Sequence, residues 1–205
     1  MLRTILYIIF ITALIANEFE EYLWPTDAST TVTALFGEMR PYRYHTGIDI
    51  RTFGINGKNV YAITDGYIYR IKVSNDGYGN VIYIKHDDGK ISLYAHLSKF
   101  NPKIQKIITQ LQIKRGSYVI DHLLEPGLIN ISKGDIIGYT GDTGGLSGPH
   151  LHFEIRDEVN RPINPLKTNL GKILIDNKSP IPVSVAFIPK TKETKINGFN
   201  FTKEY

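Results

Sequence analysis

Two histidines separated by a single residue, His150 and His152, are the first candidates for chemistry, and they lie in the sequence GPHLHFE. The apolar residues Leu151 and Phe153 alternate with them, which predicts a β-strand in which residues two apart point the same way. The two imidazoles then share one face, with their backbones about 7 Å apart. Because a buried imidazole needs a polar partner, a metal ion or a pair of proton-transfer groups would explain the pattern. The alternative is two surface histidines on a half-exposed strand.

A second candidate pair, His45 and Asp49, lies in the sequence HTGID. In a fully extended chain these residues would be about 13 Å apart, too far to share one metal ion. Gly47 between them permits a bend that brings the side chains together. An imidazole nitrogen and a carboxylate oxygen are both suitable zinc ligands. Taken alone, the motif more often marks a loop that binds no metal.

A fifth candidate, His96, ends the strand-like sequence YAHL and would by itself be a strand-end histidine bonded to backbone. The combination of the motifs carries more weight. The HTGID pair and one histidine of the HLH pair supply three protein ligands, which leaves a catalytic zinc one open position. The two histidines that remain could act as a general base and as the electrostatic stabiliser of a tetrahedral intermediate.

Glu154 is expected on the same strand face as His150 and His152. It could therefore act as a base or hydrogen-bond a metal ligand from behind. The simpler expectation, which we favour, is a carboxylate at the rim of the site.

Several other classes of chemistry have no support in the 205-residue chain. It contains no cysteine and no GxSxG motif, so thiolate sites, disulfides and a covalent nucleophile are not indicated. The glycine-rich residues 141–145 lack the GK[ST] of a phosphate loop and are predicted to be a tight turn that delivers the HLH strand. A net charge of +4, from scattered basic residues, gives no indication of nucleic-acid binding.

The N-terminal residues 1–16 are typical of an export signal, with Arg3 ahead of an apolar run at 5–15 and small residues near a cleavage point. The run is shorter than the roughly 20 apolar residues that span a bilayer, so we expect no membrane span in the mature chain. The alternative is a retained N-terminal anchor. Residues 17–30 are polar and acidic and are predicted to be a linker.

Short runs rich in Tyr, Ile and Val, separated by turn sequences such as DG and NDG, predict a mainly β fold. The region between residues 37 and 44 is predicted to be a loop. The expected strands are residues 31–36, 60–64, 67–73, 80–86, 91–96, 135–139 and 150–156.

One region departs from the β pattern. Apolar residues at helical spacing between Pro102 and Gly116 predict a short helix that Gly116 ends, followed by a strand-like run at 118–124. We interpret residues 101–130 as an insertion that packs against the sheet, where it is structural or forms one wall of a groove.

The C-terminal residues 169–205 are too few for an independent domain. Apolar runs at 173–176 and 182–188 predict two short strands. We therefore expect a C-terminal β extension, which could be the start of a truncated module.

These motifs together resemble the lysostaphin-type (LytM-like) zinc endopeptidases. The resemblance rests on HTGID at 45–49, YAHL at 94–97 and GPHLHFEI at 148–155, and it covers about residues 31–165. It implies a peptidase domain over residues 31–168 with a fold of two antiparallel β-sheets, and a groove between loops. The insertion at 101–130 is longer than the family's usual link between its second and third motifs, so the shape of the groove is not implied.

The resemblance also implies a role for each motif residue. One zinc ion per chain would be bound by His45, Asp49 and His152, and would activate water for attack on a peptide bond. The catalytic histidines would be His96 and His150. The implied substrate is the peptide part of bacterial cell-wall peptidoglycan, met by an exported protein in the periplasm or cell envelope, and we expect a monomer. Some relatives have lost zinc ligands and act as binding or activating modules, but here all five positions are filled, which favours an enzyme.

Overall fold

The structure is a computed structural model, and it describes residues 21–145, 148–174, 181, 195–196 and 199–200. The chain divides into two units, residues 1–174 and 175–205. In the second unit Lys195–Ile196 pairs with Phe199–Asn200 as an antiparallel ribbon. The export signal expected at 1–16 and the strand expected at 182–188 lie outside the described residues. Within the described part of the chain, no helix is both long and apolar enough to cross a membrane.

Antiparallel strands dominate the first unit, which confirms the expected mainly β fold. One helix, α1 (Pro102–Arg115), interrupts the strands, and two short 3-10 turns, Pro165–Lys167 and Asn169–Ile173, end the unit. The strands are β1 (Val32–Ala34), β2 (Met39–Arg40), β3 (Arg43–Tyr44), β4 (Ile48–Arg51), β5 (Asn59–Tyr61), β6 (Gly66–Val73), β7 (Val81–Lys85), β8 (Ile91–Ala95), β9 (Lys99–Phe100), β10 (Ile120–Leu123), β11 (Asn130–Ile131), β12 (Ile136–Tyr139), β13 (His150–Arg156) and β14 (Pro162–Ile163).

The first unit is built mainly from two antiparallel sheets, as expected. The large sheet has the order β1-β4-β13-β8-β7-β6-β10, with β11 beside β6 and β14 beside β13. The small sheet has the order β5-β12-β9. The crossover that inserts β13 between β4 and β8 brings the HLH, HTGID and YAHL motifs onto adjacent strands. This strand order is the feature of the fold that assembles the site.

The central strands of the large sheet are buried on both faces. In β7, Ile82 and Ile84 belong to the main core, whereas Val81 and Tyr83 belong to a second, smaller apolar cluster on the opposite face. This two-sided burial explains why the sequence of β7 is apolar from Val81 to Ile84 rather than alternating between apolar and polar residues. The candidate site residue His152 lies on the face of the smaller cluster, opposite Ala95 of β8.

The described part of the predicted linker, residues 21–30, differs from that expectation because it packs against the sheets. Tyr22 and Trp24 are at most 9% exposed and belong to the main core. Thr26 forms a bridge with Val60 and donates its hydroxyl to the carbonyl of Asn59. The burial of these two aromatic side chains holds the segment in place.

The predicted helix is confirmed, with the ends that its sequence indicated. The side chain of Asn101 accepts a hydrogen bond from the backbone nitrogen of Lys103 at the N-terminus, and Gly116 ends the helix in the left-handed conformation, φ 59°. Ile104 and Ile108 are buried in the main core. The segment from 101 to 130 therefore contributes to the core as well as adding strand β10 to the sheet.

The region predicted to be a loop between residues 37 and 44 instead contains a small antiparallel ribbon of β2 and β3. Its turn places Tyr42 in the left-handed region, φ 65°. Such a short ribbon has no periodicity for sequence analysis to detect. It lies beside the site, and it carries Arg40 opposite Arg43.

Candidate metal centre

The register between β4 and β13 places Asp49 directly opposite His152. Directly opposite residues of an antiparallel pair share a face, so their side chains meet. His152 Nδ1 lies 2.8 Å from Asp49 Oδ1. Leu151 and Phe153 point to the main core on the other face, as the alternation predicted.

His45, just ahead of β4, completes a buried cluster of three potential ligands. Its Nε2 lies 3.1 Å from Asp49 Oδ1 and 3.0 Å from His152 Nδ1. The three side chains are buried, and their atoms are close enough to hold one metal ion. The structure thus brings together the three residues for which the sequence predicted a zinc site.

The expected approach of His45 and Asp49 is confirmed, but Gly47 does not adopt the left-handed conformation that favours glycine. Its importance lies in the close approach of β13. A Cβ atom at this position would lie 2.2 Å from the carbonyl oxygen of Phe153 and 2.8 Å from Cγ of Glu154. Only glycine lets the HTGID segment lie this close to the strand that carries His152.

The positions of the protons on His45 and His152 indicate that the cluster binds a cation. His45 Nδ1 lies 2.8 Å from the carbonyl oxygen of Leu35, and His152 Nε2 lies 2.8 Å from Glu154 Oε1. A neutral imidazole has one N–H, so donating it outward leaves the lone pairs of His45 Nε2 and His152 Nδ1 facing Asp49 Oδ1. These three acceptors, 2.8–3.1 Å from one another, repel unless a positive charge lies among them.

The chemistry of the donor set fits zinc, which takes imidazole nitrogens and carboxylate oxygens as ligands. Without a metal ion a proton can supply this positive charge, because a protonated His152 donates both ring N–H groups, from Nδ1 to Asp49 and from Nε2 to Glu154. Burial alone would lower the pKa of His152, but its hydrogen bonds to Asp49 and Glu154 raise it. Burial alone would raise the pKa of Asp49, but its hydrogen bonds with His152 and His45 hold it well below its usual range.

Glu154 is buried beneath the cluster, so the expectation of a carboxylate at the rim is wrong. It is 0% exposed and accepts hydrogen bonds from His152 Nε2 at 2.8 Å, from Thr46 Oγ1 at 2.7 Å and from the Tyr78 hydroxyl. Its second oxygen accepts from Nε of Arg156 at 2.7 Å. The strand face was predicted, but the covering by Tyr78 and Thr46 comes from distant parts of the chain.

The environment of Glu154 keeps it ionised. Burial alone would raise the pKa of Glu154, but the hydrogen bonds and charges of His152 and Arg156 lower it to about 2. Burial and the neighbouring carboxylate raise the pKa of Tyr78 to about 12, so its hydroxyl remains a donor. The carboxylate therefore fixes the orientation and tautomer of His152 from behind.

His96 reaches the site from the end of β8 through a left-handed backbone, φ 61°. Its Nδ1 lies 2.8 Å from the carbonyl oxygen of Thr143, to which it donates, so the lone pair is on Nε2. The 141–145 turn, expected to deliver the HLH strand, thus also orients His96. This contact depends on Gly79, where a Cβ atom would lie within 2.5 Å of Thr143 atoms. Burial lowers the pKa of His96 to about 4, so the ring is neutral at pH 7.

His150 lies on the exposed side of the cluster, with its side chain 19% accessible. Its Nδ1 lies 3.0 Å from the carbonyl oxygen of Gly148, and its Nε2 lies 3.6 Å from Asp49 Oδ1. The centroids of the His150 and His96 rings are 4.8 Å apart. All five residues singled out in the sequence therefore converge on one place.

An open groove of about 480 Å³ runs over this cluster. Neither arginine of the β2–β3 ribbon was predicted to be functional, although both line the groove. Arg40 Nη2 donates to Asp49 Oδ2 at 2.6 Å, so this guanidinium orients a candidate ligand. Two arginines immediately before HTGID were the only local signal. Besides the five motif residues, the groove is lined by Arg40, Arg43, Tyr44, Thr46, Gly77, Tyr78 and Gly145.

Comparison with known proteins supports the motif analysis. The chain is 35% identical over 147 residues to the DD-carboxypeptidase/endopeptidase Mpg of Neisseria meningitidis, a match that covers 69% of this chain and 27% of the relative. It is 37% identical over 112 residues to lysostaphin of Staphylococcus simulans, covering 54% of this chain and 17% of the relative. The chain thus spans less than a third of the length of these curated relatives.

Among solved structures, a zinc containing peptidase from Vibrio cholerae is similar, with a TM-score of 0.50, 28% identity, and coverage of 69% of this chain and 37% of that one. The sequence profile of peptidase family M23 matches residues 43–119 and 126–165, which include all five motif residues. With more than half of its length matched, this chain belongs to peptidase family M23, the lysostaphin-type peptidases that its motifs resemble.

Proposed function

We propose that the protein is a zinc-dependent endopeptidase that hydrolyses peptide cross-links of bacterial cell-wall peptidoglycan outside the cytoplasm, with one zinc ion per chain. The observation that carries the proposal is the convergence of three acceptor atoms, from His45, Asp49 and His152, 2.8–3.1 Å apart in a buried cluster. Membership of family M23 and the name of another similar protein, the peptidoglycan DD-endopeptidase ShyA of Vibrio cholerae, support the choice of substrate.

In this proposal His45 Nε2, Asp49 Oδ1 and His152 Nδ1 hold the zinc ion. A bound zinc ion supplies Lewis-acid chemistry, since it polarises a carbonyl group and acidifies water. Glu154 keeps the proton of His152 on Nε2, so that Nδ1 stays available as a ligand. Arg40 occupies the second oxygen of Asp49, which leaves Oδ1 for the metal.

His150 and His96 then move protons at their Nε2 atoms. Each donates Nδ1–H to a backbone carbonyl, so each presents an unprotonated Nε2. His150 Nε2 accepts a proton from the attacking water and passes it to the leaving nitrogen. The low pKa of His96 makes it a hydrogen-bond acceptor that orients the water, rather than a cation that stabilises an oxyanion.

The shape of the site suits a peptide that belongs to a larger polymer. The groove is open along its length, and His150 is partly accessible within it. The candidate ligands beneath are buried and shielded from bulk water. A strand of peptide can therefore lie across the site while the rest of the substrate remains outside.

The second candidate is a silent module that binds peptidoglycan or activates another wall hydrolase. Such a module does not need an intact ligand set, whereas here both the set and its supporting hydrogen bonds are complete. Zinc content separates the two candidates, because a silent module would bind none at stoichiometric levels.

The direct test uses protein that begins at Asn17, loaded with zinc, on cross-linked muropeptides. We expect new free amines and loss of cross-links, both abolished by a chelator and restored by zinc. A protein with bound zinc that leaves the cross-links intact would contradict the proposal.

A further inference from the structure

The β2–β3 ribbon places two positive charges directly opposite each other. Arg40 and Arg43 are backbone partners across the ribbon, so their side chains share a face, and both line the groove. Like charges at such positions destabilise a strand pair. The juxtaposition of the two charges therefore does not stabilise the ribbon, which indicates that at least one of them binds a ligand.

The two arginines differ in their partners. Arg40 is committed to Asp49, with Nη2 2.6 Å from Oδ2. Arg43 is exposed, and no ion pair or side-chain hydrogen bond holds its guanidinium among the described residues. Its five N–H donors are therefore available to a molecule that enters the groove.

The balance of charge in the groove favours an anion. The described lining residues supply one carboxylate, Asp49, against the guanidiniums of Arg40 and Arg43. Glu154 does not alter this balance, because it lies beneath the groove and pairs with Arg156. A divalent cation among the ligands would make the groove more positive still.

We propose that Arg43 binds a carboxylate of the peptide substrate and so determines specificity. This inference rests on the proposed peptidase function and refines its substrate class. A guanidinium fork matches a carboxylate with two parallel hydrogen bonds. The carboxylate could be the C-terminal one of a stem peptide or the side-chain one of a diamino diacid at the cross-link. A bridge made only of glycine has neither next to the scissile bond, so it is disfavoured.

The test uses three synthetic cross-linked peptides: one with both carboxylates free, one with the C-terminal carboxylate amidated, and one with the side-chain carboxylate amidated. Equilibrium binding and kcat/KM are measured with zinc-loaded wild type, Arg43→Gln, Arg43→Lys and Lys114→Gln. Lys114 is an exposed cation in the last turn of α1, so its variant controls for net charge.

We expect amidation of one of the two carboxylates to weaken peptide binding by about ten- to a hundredfold, both in wild type and in Lys114→Gln. This is the range for a hydrogen bond to a charged group. The ratio of the affinities for the free and the amidated peptide should fall to about one in Arg43→Gln. It should be intermediate in Arg43→Lys, which keeps the positive charge but loses the forked guanidinium. The carboxylate whose amidation weakens binding is the one that Arg43 contacts.

Two results would overturn the inference: wild type that binds all three peptides equally, or Arg43→Gln that keeps the full preference. The proposed peptidase function is tested separately, by whether the peptides are hydrolysed. Equal hydrolysis of the three peptides by wild type would leave the peptidase proposal standing. Carboxylate-dependent binding without hydrolysis would support the role of Arg43 and contradict the peptidase proposal.

Discussion

Glu154 Oε1 lies 2.8 Å from Nε2 of His152, on the opposite side of the ring from the cluster of acceptor atoms. Because the carboxylate is fully buried and ionised, this hydrogen bond determines which nitrogen of His152 carries the proton. A ligand histidine supported in this way is more basic and better oriented than an unsupported one. Through this pair, a carboxylate buried beneath the groove determines how a candidate metal ligand in the groove is oriented.

Replacing Glu154 with glutamine should weaken zinc binding while the fold persists. A glutamine can keep a hydrogen bond to His152 but lacks the negative charge, and loss of such a partner costs about 10–100-fold in metal affinity. The measurement is competition with a chromogenic chelator. Glu158→Gln, at an exposed position on the turn after β13, is the matched control. Equal zinc affinity of wild type and Glu154→Gln would show that the carboxylate has no such role.

The same residue should give the metal-free protein a pH-dependent stability. The folded state lowers the pKa of Glu154 from 4.5 to about 2, so its ionised form favours folding above about pH 4.5. That contribution is lost as the pH falls from 4.5 toward 2. Urea unfolding should therefore show Glu154→Gln less stable than wild type at neutral pH, with the gap closing over this range. A gap that stays constant with pH would rule out the charge as its origin.

Gly47→Ala should destabilise the protein although its backbone conformation suits any residue. The added Cβ would lie 2.2 Å from the carbonyl oxygen of Phe153, so β4 and β13 must separate. Overpacking of this kind costs about 1–3 kcal/mol or more in free energy of unfolding. Gly145→Ala is the control, because its Cβ would have its nearest contact at 3.4 Å. Urea unfolding of the two variants without zinc makes the comparison, and similar stabilities would contradict the packing argument.

Helix α1 should stabilise the fold without affecting zinc binding. Ile108 is 1% exposed in the main core, whereas Ile113 on the same helix is 75% exposed. Ile108→Ala should lower the free energy of unfolding by about 2–5 kcal/mol, and Ile113→Ala should change it little. Zinc content should stay near one equivalent in both. Loss of zinc from the folded Ile108→Ala protein would show that the insertion supports the site in a way its packing does not reveal.

Local sequence predicted those parts of the molecule that local pattern determines. The alternation around His152 placed the ligand face of β13, and Gly116 marked the end of α1. The features that the local sequence did not predict depend on packing between distant parts of the chain. Glu154 is buried because Tyr78, 76 positions earlier, lies over it. Trp24 anchors a segment whose composition resembles a linker.

The role of Gly47 was also beyond local analysis, since its reason is the approach of another strand rather than its own conformation. The β2–β3 ribbon gave no periodic signal, and the convergence of Arg40 on Asp49 depends on how that ribbon lies against the groove. The candidate ligands and proton-transfer groups were therefore easier to find in the sequence than the residues that position them.

The central claim assigns different tasks to the two histidines of β13, and the decisive measurement is zinc content together with hydrolysis rate for three variants. His152→Ala removes a candidate ligand, so it should lose most of its zinc and its activity. His150→Ala and His96→Ala should each keep nearly one equivalent of zinc yet lose activity by about 100-fold or more, as expected for proton-transfer groups. If His150→Ala loses the metal while His152→Ala retains it, the assignment of ligand and base is reversed and the account is contradicted.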